Sequence, residues 1–71
     1  MKLKDFLKYF NKGVFVEIYD NNEKQTIYEG KICDISNEIL NCKQLDPNDE
    51  IDVIVDSDYY SMLTTLEIYV K

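Results

Sequence analysis

The stretch "VFVEIYDNNEKQTIYEGKI", Val14 to Ile32, decides the fold. Its first seven residues alternate: Val14, Val16 and Ile18 share one face, and Phe15, Glu17 and Tyr19 share the other. Successive side chains of a strand point to opposite sides, so this segment reads as a strand with one face buried and the other partly covered. Asn21 to Lys24, "NNEK", is a turn of Asn and charged residues. Gln25 to Ile32, "QTIYEGKI", returns as a second strand, and the pair predicts a β-hairpin. Gly30 inside that strand predicts a bulge or a close backbone approach.

Upstream, Leu3, Phe6, Leu7 and Phe10 recur at i, i+3, i+4 and i+7, which predicts an amphipathic helix over Lys2–Phe10 with Lys4 and Lys8 on the opposite face. Asn11-Lys12-Gly13 reads as its stop, with Gly13 able to take the left-handed conformation. Downstream, Asp34 to Asn41 predicts a short helix capped by Ser36, with Ile39 and Leu40 pointing inward. Lys43 to Leu45 can pair briefly as a strand, and "DPND" (Asp46–Asp49) is a turn with Pro47 where its fixed φ fits. Glu50–Asp56, "EIDVIVD", alternates Ile51, Val53 and Val55 against Asp52, Ile54 and Asp56. Thr64–Val70, "TTLEIYV", alternates Leu66, Ile68 and Val70 against Glu67 and Tyr69. The expectation is one α+β domain spanning 1–71, in the order α-β-β-α-β-β, with the N-terminal helix packed on a three- to four-stranded antiparallel sheet.

Seventy-one residues make one small domain, and a chain of this size buries only about 60% of its unfolded surface. Homo-oligomerisation is one way for such a chain to gain stability. Neither a secretory leader nor a membrane-spanning run is read in the sequence, since Asp5 and Lys8 interrupt the apolar N-terminal segment. The expected location is therefore cytoplasmic, with Cys33 and Cys42 reduced and no membrane partner.

The residues also exclude chemistries. There is no His to activate a nucleophile or bind zinc. There is no Gly-rich phosphate loop, since Gly13 and Gly30 are the only glycines. An EF-hand beginning at Asp46 would put Ile51 where Gly is needed and Ser57 where the bidentate Glu is needed. No catalytic residue, cofactor or metal site is expected. Direct nucleic-acid binding is disfavoured by the absence of Arg and a net charge of −6.

The charge is uneven. Residues 1–33 hold six Lys (2, 4, 8, 12, 24, 31) and five acids (Asp5, Glu17, Asp20, Glu23, Glu29), whereas residues 34–71 hold nine acids and only Lys43 and Lys71. Leu45–Tyr60 concentrates Asp46, Asp49, Glu50, Asp52, Asp56 and Asp58 with no Lys, and closes on Tyr59 and Tyr60. Strand alternation requires polar residues outside but does not require that all be acids. These eight residues are the expected partner-binding set, the acids meeting a Lys/Arg surface and the tyrosines supplying anchoring contacts.

"MKLKDFLKYF", "VFVEIYD", "IYEGKICDI" and "LEIYVK", in an Arg-free chain rich in Lys, Asn, Ile and Tyr, resemble short accessory proteins of phages and prophages of low-GC Gram-positive bacteria. In size and charge the chain is similar to anti-CRISPR and other anti-defence proteins, several of which occupy a basic nucleic-acid channel. The resemblance implies a non-enzymatic inhibitor, acting in a bacterial host's cytoplasm on a defence or nucleic-acid-handling protein with a basic surface. It carries no functional residues over. Two other readings fit the chain: a small homo-oligomer that sequesters a signalling nucleotide or other small ligand, and a virion or assembly accessory protein.

Overall fold

A computed structural model describes residues 1–57 and 62–71, with side chains described outside 52–64. The elements are α1 (Leu3–Leu7), β1 (Phe15–Asp20), β2 (Gln25–Lys31), a 3₁₀ turn (Ile32–Asp34), α2 (Asn37–Cys42), β3 (Asp52–Ser57) and β4 (Met62–Val70). The fold is α+β, and the hairpin that the alternation predicts is present. Val16 and Ile18 are buried, while Phe15, Glu17 and Tyr19 are half-buried on the other side.

The sheet is mixed, which corrects the antiparallel expectation. β1 pairs antiparallel with β2 but parallel with β4, in a register running from Phe15↔Thr65 to Asp20↔Val70. β3 pairs antiparallel along the free side of β4, giving the order β2-β1-β4-β3. A parallel pair needs a long crossover, here the whole segment from β2 through β3 that separates β1 from β4. Inward and outward alternation is the same for either strand direction, so the pattern could not reveal it.

One sheet face carries the core. Val16, Ile18, Ile68 and Val70 meet Leu3, Leu7, Ile32 and Ile35 from the helical layer. Phe6, Phe10, Ile39, Leu40, Leu45, Ile51 and Leu66 pack around them. Each fully buried aliphatic side chain contributes about 1.5–3 kcal/mol. Ser36 caps α2 as expected, its Oγ accepting from the Ile39 amide at 3.3 Å. The "DPND" turn closes through the Asp49 amide on the Asp46 carbonyl at 3.3 Å. Gln44 and Leu45 form isolated bridges to Lys2 and Val70.

Three local expectations are corrected. α1 ends at Leu7, and the chain continues to Phe10 through i→i+3 bonds (Tyr9 amide to Phe6, Phe10 amide to Leu7). The stop comes from Asn11, whose side-chain oxygen accepts from the Gly13 amide at 2.9 Å, and not from a left-handed Gly13. The bulge falls at Ile27, where the register moves from Ile18↔Tyr28 to Tyr19↔Thr26. Gly30 meets a side chain: a Cβ there would lie 2.8 Å from the Tyr28 hydroxyl oxygen, and its φ is +148°.

Candidate functional site

The face of the sheet turned away from the helices is built by alternation. β1 presents Phe15, Glu17 and Tyr19 there; β4 presents Thr65, Glu67 and Tyr69. Register then produces a row that no single strand shows. Glu29 of β2 lies opposite Glu17 of β1, Glu17 lies beside Glu67 of β4, and Glu67 lies opposite Asp52 of β3. All four strands thus contribute an acid at the same level. Neighbouring strands are about 4.8 Å apart, so Glu29, Glu17 and Glu67 are strung in a line and not converged on a point. Among the described residues no group of three or more His, Cys, Asp or Glu is placed to hold a metal ion.

Directly opposite like charges weaken a sheet, and among the described residues little offsets them. The Thr26 hydroxyl donates to Glu17 Oε1 at 3.4 Å. Lys31, the nearest lysine in the register, stands over the Phe15 ring at 5.8 Å. Glu17, Glu29, Phe15, Gly30 and Thr65 line an open hollow of about 240 Å³. On the next level the rings of Tyr19 and Tyr69 meet edge to face, with centroids 6.0 Å apart.

Beyond the tyrosines lies the 46–50 turn. Asn21, just past β1, donates from Nδ2 to Asp46 Oδ2 at 2.9 Å and to Asp49 Oδ2 at 2.6 Å, gathering the two carboxylates. Asp46 Oδ1 accepts from the Asn48 amide at 2.9 Å. The Asn48 amide first, and then Asn21, hold the Asp46 carboxyl below the usual carboxylate range. Asp46, Asp49, Pro47, Ile51 and Tyr69 line an open cleft of about 430 Å³, which also receives Lys71.

Of the predicted partner-binding residues, Asp46 and Asp49 are brought together, and Glu50 is exposed beside them. Asp52 joins the acid row by backbone register, and Asp56 lies opposite Leu63. Asp58, Tyr59 and Tyr60 lie outside the described residues. Glu17, Glu29 and Glu67 were missed as a group, because each alone is an ordinary outward residue of a strand; Tyr19 and Tyr69 read as outward strand residues but stood outside the predicted partner-binding set.

Asp20 was missed for another reason. It is 1% exposed, on the core face of β1. One carboxylate oxygen accepts from the Asn22 and Glu23 amides at 2.8 and 3.3 Å, closing the hairpin turn. The other pairs with the Lys43 ammonium, whose side chain is 27% exposed. This bond lowers the Asp20 pKa and raises that of Lys43, against the opposing effect of burial on each. The alternation Val16, Ile18, Asp20 marks the inward position, but nothing local marks Lys43 as the partner.

No helix among the described residues is long and apolar enough to cross a membrane. Comparison with known proteins finds no family model, curated protein or solved structure that matches the chain.

Proposed function

We propose that the chain is a non-enzymatic protein-binding module whose acidic, tyrosine-bearing sheet face docks on a Lys/Arg surface of a partner protein. One observation carries this reading: Glu29, Glu17 and Glu67 stand side by side across three strands, an arrangement that sheet energetics disfavour and that a cationic partner would relieve. Tyr19 and Tyr69 supply adjacent amphipathic contact area of the kind enriched at interfaces. The 46–50 turn extends the negative surface past the tyrosines through Asp46, Asp49 and Glu50. In the form that the phage-protein resemblance implies, the partner is a defence or other nucleic-acid-handling protein of a bacterial host. The chain then inhibits it by covering its basic surface.

The test is capture from a bacterial lysate carrying active defence systems, read by mass spectrometry. A Glu17→Gln, Glu29→Gln, Glu67→Gln variant is run beside the wild type. One nucleic-acid-handling protein should be held by the wild type, lost by the variant and released by salt. A partner held equally by both proteins at all salt concentrations would overturn the electrostatic reading.

A further inference from the structure

The opposite side of the domain carries the complementary chemistry. Between α1 and the segment of the 3₁₀ turn and α2 runs an open groove of about 370 Å³. Lys4, Lys8 and Lys12 line it, at a spacing of four residues. Leu7, Phe10 and Leu40 contribute apolar surface. Among the described residues no carboxylate lines the groove: Asp5, Asp34 and Glu38 belong to the same elements but are not part of its lining. Tyr9, 75% exposed, adjoins it with its ring 5.5 Å from the Lys8 ammonium. The groove is thus apolar inside and cationic at its rim, while the sheet face is aromatic and anionic.

We propose that the lysine-rimmed groove receives the carboxylate face of a second copy, so that the chain associates head to tail and covers its own docking face. The inference rests on the reading of that face as a docking surface, and it adds a form of regulation: self-association competes with the partner. Charge complementarity selects the occupant. The row, whose nearest lysine in the register is Lys31 over the Phe15 ring, and the groove, whose described lining holds no carboxylate, are borne by the same chain, on opposite sides of one two-layer domain, and are therefore always present in equal amounts. Because different surfaces meet, the contact is heterologous, and it builds open stacks unless the rotation closes a ring.

Sedimentation velocity on the full chain tests this. The wild type should exceed its 8.4 kDa monomer mass at least twofold at low salt and high protein concentration. It should return to monomer at about 1 M salt, where the screening length is about 3 Å. A groove variant (Lys4→Glu, Lys8→Glu, Lys12→Glu) and a face variant (Glu17→Lys, Glu29→Lys) should each be monomeric alone and associate with one another, as heterodimers or longer alternating stacks, when mixed. A monomeric wild type at low salt, or folded variants whose mixture stays monomeric, would overturn the inference. The groove variant keeps the acidic face. Partner capture by the groove variant together with a monomeric wild type would therefore sink self-association alone, whereas a partner held equally by the wild type and the glutamine variant at all salt concentrations sinks the docking reading.

Discussion

Asp20 and Glu17 lie three residues apart on β1, with their carboxylates on opposite sides of the sheet. Asp20 is buried, accepts two turn amides and pairs with Lys43. Glu17 is half-buried between two other glutamates, with one long bond from Thr26. The first arrangement satisfies a charge where an unsatisfied one would be costly. The second lines up like charges where the sheet gains nothing from them. The same chemical group is structural on one side of the strand and a candidate for recognition on the other. Removing it should therefore change stability with opposite sign at the two positions.

The largest effect is expected at Asp20. Asp20→Ala strands the Lys43 ammonium and the Asn22 and Glu23 amides, and opens a gap beneath the hairpin turn. Breaking a buried pair costs about 3–5 kcal/mol, and the partial exposure of Lys43 places this case at the lower end, about 3 kcal/mol. Urea denaturation measures it. A loss below about 1 kcal/mol, the size of an ordinary surface contact, would break the contrast between the two carboxylates.

The pH dependence of the same pair sharpens the comparison. The Asp20 pKa is lowered in the folded chain, chiefly by Lys43. Its contribution is thus complete above the unfolded value of about 3.9 and is lost as pH falls through the lower folded value. The Lys43 pKa is raised, chiefly by Asp20. That contribution is complete below the unfolded value of about 10.4 and is lost as pH rises through the higher folded value. The stability gap between wild type and Asp20→Asn should be widest between about pH 4 and pH 10 and should narrow on both sides. A gap constant down to acid unfolding would show that Asp20 acts through packing alone.

Gly30 tests how the row is held in place. It lies opposite Val16, next to Glu29, and Tyr28 occupies the space its side chain would need while donating to the Lys31 carbonyl. Gly30→Ala places a Cβ at positive φ against the Tyr28 ring and should cost about 2 kcal/mol by the same denaturation measurement. A neutral effect would mean that β2 shifts freely and that the Glu29–Glu17 register is not specified.

These residues also show how far the chain could be read before folding. The hairpin, the Ser36 cap and the "DPND" turn were legible because their signals are local. Periodicity marked Val16, Ile18, Leu66, Ile68 and Val70 as one buried face for the same reason. The parallel β1–β4 pairing was not legible, and with it went the carboxylate row, because Glu17, Glu29 and Glu67 are adjacent only after strand order and register are set. The acid-rich stretch Leu45–Tyr60 drew attention by density in sequence. In the fold, Asp46 and Asp49 are partly accounted for by Asn21, while Glu17, Glu29 and Glu67, scattered over the chain, stand side by side on the sheet.

The smallest effect has the sign that matters most. Glu17→Gln keeps the shape of the side chain and can keep the Thr26 bond, while removing one charge from between two others. Relief of opposed like charges is worth about 0.2–1 kcal/mol, so the variant should be more stable by about 0.5 kcal/mol. The gain should shrink toward zero at about 1 M salt, where screening is nearly complete. A residue that costs stability and is needed for partner capture has the signature of one retained for function. A Glu17→Gln protein that is both more stable and unable to hold its partner would tie the repulsion in the sheet to recognition. One that is less stable by 1 kcal/mol or more would make Glu17 a structural residue like Asp20, and the distinction between the two sides of β1 would fail.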